Sequence, residues 1–226
     1  MTKHLYFEDS YLKDFSSVVL RADGNRVVLA ESAFYPGGGG QPCDLGTIAD
    51  AVEHRVISVS KDGDDIVHEI EGTVSPGTEV HCTIDWDRRQ RLMRMHTAAH
   101  VLSAVIHAKT GALITGNQLG VEQSRIDFSL EDFDREKMLG YCDDANRLIA
   151  EGREVRSYFT DSSNVQTLLA KGLPEGIDRI RIVEIDGIDT QADGGTHVKN
   201  TAEIGRIEIV KIENKGKHNR RVYYVL

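Results

Sequence analysis

Two short segments constrain this chain more than anything else in it: His96-Thr97-Ala98-Ala99-His100 and Asp193-Gly194-Gly195-Thr196-His197. Each sets two side chains able to ligate a metal four residues apart. On a helix, positions i and i+4 share a face, so His96 and His100 can chelate a single ion. Between Asp193 and His197, two glycines let a loop fold tightly enough to turn both side chains inward. Three imidazoles and one carboxylate form a donor set that zinc accepts. One HxxxH alone is as readily a pair of helical histidines without metal; a second pair wrapped in glycine tips the reading to a metal site. The fold must then bring two segments far apart in sequence to one place. HTAAH lacks the glutamate that follows the first histidine in HExxH, so the general base of a zinc peptidase is missing.

The hydrophobic pattern changes once along the chain. Over its first part, short apolar runs alternate with turns. Ser17–Leu20 and Arg26–Ala30 flank Ala-Asp-Gly-Asn, Arg55–Val59 and Ile66–Ile70 flank Lys-Asp-Gly-Asp-Asp, and Val74-Ser75-Pro76-Gly77 leads into Glu79–Ile84. This spacing predicts a small closed or half-closed β-barrel over residues 1–86. From Asp87, the expected N-cap, residues Leu92, Met95, His96, Ala99, Leu102, Val105 and Ile106 recur with helical spacing to about Lys109. The polar Thr115-Gly116-Asn117-Gln118 follows. A second amphipathic helix is predicted from Asp132 to Ala150 and a short one over Ser162–Lys171. Strands are predicted at Arg125–Phe128, Glu154–Phe159, Arg179–Ile185, Gly205–Ile212 and Arg221–Val225. Mixed elements without repeating βαβ units predict an α+β sandwich over 87–226, with helices on one face of a sheet. The expected class is therefore α+β, a barrel domain followed by a sandwich domain.

Composition narrows the function classes. The net charge of −9 argues against indiscriminate nucleic-acid binding, which needs basic groups facing phosphates. Local clusters still exist: Arg88, Arg89, Arg91 and Arg94 precede the first histidine pair, and Lys211, Lys215, Lys217, Arg220 and Arg221 gather near the C-terminus. Such runs are as often solvated faces as binding surfaces. No apolar run is long enough to span a bilayer, so no membrane partner is expected. The opening Met-Thr-Lys-His-Leu-Tyr has no secretory apolar region, and a cytoplasmic location is expected. Three cysteines, Cys43, Cys82 and Cys142, are odd in number and without CxxC, which fits reduced thiols.

A third landmark lies upstream, Phe34-Tyr35-Pro36-Gly37-Gly38-Gly39-Gly40-Gln41-Pro42. Four successive glycines exceed what one turn requires and point to close backbone approach. No GK[ST] ending makes it a phosphate loop. The glycine run, HTAAH and DGGTHVKNTAEIG from Asp193 to Gly205, in that order over nearly the whole chain, resemble the AlaX-type proteins. These are freestanding relatives of the alanyl-tRNA synthetase editing domain, here in the longer form with the glycine-rich motif. Where that family carries the cysteine of CGGTH, this chain has Asp193, and a carboxylate is itself a familiar ligand of catalytic zinc.

The resemblance implies a zinc-containing editing domain with one zinc per chain, held by His96, His100, Asp193 and His197, the three histidines being catalytic. It implies a trans-editing hydrolase that removes serine, with glycine a second candidate, from mischarged tRNA(Ala). An alanine pocket rejects serine poorly, and a second site that hydrogen-bonds the hydroxyl discriminates the other way. The aminoacyl ester is activated, so positioning, a metal and water suffice without a protein nucleophile. Ser32, Thr196, Asn117 and Gln118, with Gly38, Gly39 and Gln41, are the expected substrate contacts. Arg88, Arg91, Lys215, Lys217, Arg220 and Arg221 are the expected tRNA contacts. Two other classes stay open: a tRNA-binding module that kept the fold and lost activity through the Cys-to-Asp change, and a metal-dependent hydrolase of small esters.

Overall fold

The computed structural model describes residues 1–131, 134–161 and 179–226. The chain divides into two compact units, Met1–Leu92 and Met93–Leu226.

In the first unit, strand Asp14–Asp23 shows why a barrel forms. Phe15, Ser17 and Val19 are buried and the residues between them exposed, the period-two signature of a sheet with one wet face. Its partner Arg26–Leu29 follows through a turn at Gly24, whose φ of 59° suits a residue without Cβ. Around the barrel the order is Asp14–Asp23, Arg26–Leu29, Asp65–Ile70, Glu53–Asp62, Gly46–Ala49 and Glu79–Ile84, closing on the first strand. Closure leaves no unpaired edge. The interior is filled by Val19, Val27, Leu29, Phe34, Ile48, Val56, Ile66, Ile70, Cys82 and Ile84. Strand Gly46–Ala49, which completes the ring, has no counterpart in the sequence reading: it is short and buries only Ile48. A Cβ at Gly46 would lie 2.1 Å from the Thr83 carbonyl oxygen, so only glycine fits there.

The long helix spans Trp86–Thr110. Its cap is Asp85 rather than Asp87, since the Asp85 carboxylate accepts the Arg88 N–H at 3.1 Å, and Asp87 is already inside the first turn. Met93, Ala98 and Val101 are buried along with the expected stripe, so this is a helix enclosed nearly all round, not one with a single apolar face. The second helix is Arg135–Ala150; Asp134 accepts N–H bonds from Glu136 and Lys137, and Met138, Cys142, Ala145 and Ile149 face inward. Residues 132–133, where that helix was expected to begin, and the helix expected over Ser162–Lys171 lie outside the described residues.

Among the described residues, the strands of the second unit fall into two antiparallel sheets, where the sequence predicted one. The order in the first is Glu208–Asn214, Arg220–Val225, Ser124–Phe128 and Ile114–Gln118; the second is the meander Val155–Asp161, Arg179–Ile185 and Asp189–Ala192. Two of these strands, Ile114–Gln118 and Asp189–Ala192, are too polar to show a strand pattern and exist through their pairing with Ser124–Phe128 and Arg179–Ile185. No helix among the described residues is long and apolar enough to cross a membrane.

Candidate metal centre

His96 and His100 sit one turn apart on the long helix, inside its most buried stretch. That stretch is pinned within its own unit: the Tyr224 hydroxyl donates to the Met95 carbonyl at 2.8 Å, and the Arg94 guanidinium holds the Ile204 carbonyl at 2.8 and 3.0 Å. The other two ligands arrive by loop. Strand Asp189–Ala192 pairs with Arg179–Ile185 up to Ile182↔Ala192, which delivers Asp193 at its end. The Asp193 N–H donates to the Arg181 carbonyl at 3.1 Å. Buried Arg181 then clamps the loop from its side chain, donating to the carbonyls of Asp193 at 3.0 Å and Gly195 at 2.8 Å. Asp193 Oδ1 accepts the Gly195 N–H at 2.6 Å, a tight turn that the glycines allow.

The result is convergence. One ligand atom from each of His96, His100, Asp193 and His197 lies within 4.8 Å of the others. Asp193 Oδ2 stands 3.3 Å from His96 Nε2 and 3.7 Å from His100 Nε2, and Oδ1 stands 3.1 Å from His197 Nε2. A tetrahedral zinc with bonds of about 2.0–2.2 Å separates neighbouring ligand atoms by roughly 3.3–3.6 Å. The spacing and the donor chemistry therefore both fit zinc.

Hydrogen bonds behind the rings set their tautomers. The Thr97 hydroxyl donates to the Met93 carbonyl at 2.9 Å, so its oxygen can only accept, from the Val198 N–H at 3.3 Å and from His197 Nδ1 at 3.2 Å. His197 thus carries its proton on Nδ1 and offers the Nε2 lone pair to the site. His100 Nδ1 donates to Asp189 Oδ2 at 2.8 Å, and Asp189 in turn accepts from the Gln191 amide at 3.0 and 3.2 Å.

Without a metal, the charges settle as electrostatics requires. Burial pulls the His100 imidazole down, but hydrogen bonds to Asp189 and Asp193 outweigh it and push its pKa up to about 9. Burial and the neighbouring His96 hold His197 well below the usual imidazole range. Burial raises Asp193, yet the attraction of His96 and hydrogen bonds to the imidazoles win, leaving it well below the usual carboxylate range.

The remaining expected site residues are placed as follows. Thr196, between the loop ligands, is fully buried. Asn117 and Gln118 lie on strand Ile114–Gln118, and the Gln118 side chain accepts from Arg125 Nε at 3.1 Å. In the first unit, Ser32 is fully buried; His68 Nδ1 donates to the Val27 carbonyl at 3.1 Å, so His68 Nε2 accepts the Ser32 hydroxyl proton at 2.8 Å. The Ser32 oxygen also accepts the Phe34 N–H at 3.2 Å. Gly37 to Gly40 all have positive φ, and Gly38 and Gln41 exchange backbone bonds of 3.0 and 2.9 Å, with Gln41 buried.

Of the basic residues, Arg88 donates to the Cys43 carbonyl at 3.1 and 3.3 Å, and Arg91 is partly buried. Arg220 is buried, its guanidinium bound to oxygens of Asn214, Gly216, Asn219 and Glu131. Arg221 forks onto Asp127 at 2.7 and 2.8 Å. Lys215 pairs with Glu213 at 3.0 Å, while Lys217 is exposed. Sequence reasoning missed Asp189, Gln191, Thr97 as a ring partner, and Arg181. The one available signal was an extra acid four residues ahead of Asp193, which looks like any strand or turn carboxylate.

Comparison with known proteins relates the sequence to two families and several named relatives. Residues 7–88 match the family described as tRNA synthetases class II (A), and residues 180–223 match the Threonyl and Alanyl tRNA synthetase second additional domain. The chain is 48% identical over 241 residues to the alanyl-tRNA editing protein AlaX-M of Methanosarcina barkeri, covering 100% of this chain and 99% of the relative. It is 43% identical over 236 residues to the AlaX-M protein of Saccharolobus solfataricus, with coverage of 100% and 99%. It also matches the alanine–tRNA ligase of Thermoplasma acidophilum at 39% identity over 220 residues, 94% of this chain and 25% of the ligase.

Proposed function

The chain belongs to the family of AlaX-M alanyl-tRNA editing proteins, and from that premise we propose that it is a zinc-dependent hydrolase that removes serine from mischarged tRNA(Ala) in trans. The observation that carries this reading is the convergence of His96, His100, Asp193 and His197 on one point. Bound there, zinc supplies Lewis acidity to the carbonyl of the aminoacyl ester. The chain's own residues do the rest. The three imidazoles would hold the ion through Nε2, Asp193 would offset its charge, and the Arg181 clamp keeps the loop from drifting.

Choice between serine and alanine falls, in this reading, to hydrogen bonding at the substrate side chain. Ser32 is the first candidate. Its hydroxyl donates to His68 Nε2 and its oxygen accepts the Phe34 N–H, so the remaining lone pair is the one that would read a donor. Serine carries such a donor and alanine does not. Thr196, Asn117, Gln118, Gly38, Gly39 and Gln41 are further proposed contacts, each open to single substitution.

The test is deacylation of tRNA(Ala) carrying serine or alanine. An unpaired polar group costs about 1–3 kcal/mol, so serine should be released roughly ten- to a hundredfold faster. Ser32→Ala should narrow that gap without loss of zinc. Equal release of both amino acids defeats the specificity account and favours a hydrolase of small esters. Binding of tRNA with no release of either amino acid favours an inactive module.

A further inference from the structure

His100 and His197 are both held from behind, but by unlike partners. His197 leans on the neutral hydroxyl of Thr97, locked as an acceptor by its bond to the Met93 carbonyl. His100 leans on a carboxylate: Nδ1 lies 2.8 Å from Asp189 Oδ2, and the Gln191 amide holds both oxygens of that carboxylate at 3.0 and 3.2 Å. Asp189 is only 12% exposed at its side chain, so its charge is poorly screened by water. Its strand position, paired with Ile185, places it four residues before Asp193 on the same short strand and loop.

We propose that Asp189 is a positioning residue for the metal centre: it orients His100, fixes the proton on Nδ1 and makes Nε2 a stronger donor to the ion. Asp193 faces the inner Nε2 atoms while Asp189 faces an outer Nδ1, so the two carboxylates flank His100 from opposite ring nitrogens. Together they balance the two positive charges of a zinc ion held by neutral imidazoles. A carboxylate behind a ligating histidine raises its basicity, and loss of such a partner costs about 10–100-fold in metal affinity. This inference rests on the zinc reading given above.

The experiment measures zinc affinity by competition with a chromophoric chelator, and the absorption spectrum of the cobalt-substituted protein. The wild type, Asp189→Ala, Asp189→Asn and Thr97→Val are compared. Asp189→Ala should bind zinc about 10–100-fold more weakly and show a shifted cobalt spectrum. Asp189→Asn keeps the shape and a carbonyl oxygen for the Nδ1 proton but not the charge, and should recover only part of the loss, whereas a packing role for Asp189 predicts full recovery. Thr97→Val removes a neutral partner and should cost less than Asp189→Ala. Wild-type affinity and spectrum in Asp189→Ala would overturn the inference; if that variant does not fold, wild-type affinity in Asp189→Asn overturns it. Absence of zinc binding by the wild type would instead overturn the metal reading itself.

Discussion

In the first unit Arg89 and Asp44 are buried together, and every group finds its complement. The guanidinium donates to both Asp44 oxygens and to the carbonyls of Ser10 and Ala33, while Asp44 also accepts the Tyr35 N–H at 2.6 Å. In the second unit the buried cluster is three imidazole Nε2 atoms gathered around one carboxylate. His197 Nε2 and Asp193 Oδ1 stand 3.1 Å apart, and the outer nitrogen of that ring is spent on Thr97. Donors matched to acceptors close a network, and such a network holds a fold together. Nitrogen and oxygen ligand atoms converging at that spacing suit a cation. At His100, hydrogen bonds to Asp189 and Asp193 outweigh burial and push the pKa up to about 9.

The contrast can be broken most sharply at the histidines. His96→Ala or His100→Ala should strip the metal and abolish hydrolysis, read by elemental analysis and by deacylation of seryl-tRNA(Ala). Unfolding of the barrel, followed by the single tryptophan, Trp86, whose ring lies 5.6 Å from Tyr11, should barely move. Either variant keeping full zinc and full activity would show that the cluster is not the site.

Breaking the closed network should do the reverse. Arg89→Ala leaves Asp44 buried and unpaired, which costs about 3–5 kcal/mol. The loss should appear in the Trp86 urea transition. A change below 1 kcal/mol would mean the pair is not the anchor its burial suggests.

Somewhat smaller is the effect of acid on the barrel. Burial pulls His68 down to a pKa of about 4 against an ordinary 6.5. The unfolded chain therefore binds a proton that the folded one refuses. Stability from this group is complete above pH 6.5 and is lost as pH falls through 4, about 3 kcal/mol in all. Comparing urea transitions at pH 7 and 4.5 should show the loss, and His68→Gln should flatten it. Equal pH dependence in both proteins would contradict the assignment.

Least in size is the surface. Charge reversal at Lys217, which is exposed, or Lys215 should raise the Michaelis constant for tRNA a few-fold and reduce its salt slope by about one, with turnover retained. Arg220 and Arg221, spent on internal oxygens, should lose stability instead. Unchanged salt dependence in both lysine variants would make this a solvated face.

How much of this was legible in sequence divides along the same line. HTAAH on a helix, DGGTH on a loop and the strands Glu79–Ile84 and Arg179–Ile185 match the structure because each is local: periodicity or glycine decides it within a few residues. Strand Asp189–Ala192 was invisible because its residues are polar and its pairing partner supplies the order. Asp189 went unseen with it, since its partner His100 is 89 positions away. Arg89 sat in what looked like a solvated basic run, and only the barrel's closure shows it to be fully buried. Arg220 likewise sat in a basic run, and its burial among backbone and Asn214 oxygens shows only in the fold.

The central claim is that the four converging side chains hold a metal, and zinc stoichiometry tests it most directly. Protein purified without chelator, then dialysed, should carry about one zinc per chain. Asp193→Cys should keep that zinc at least as tightly, and Asp193→Ala should hold it more weakly. Protein that takes up no zinc, even when refilled from excess and dialysed, would contradict the account.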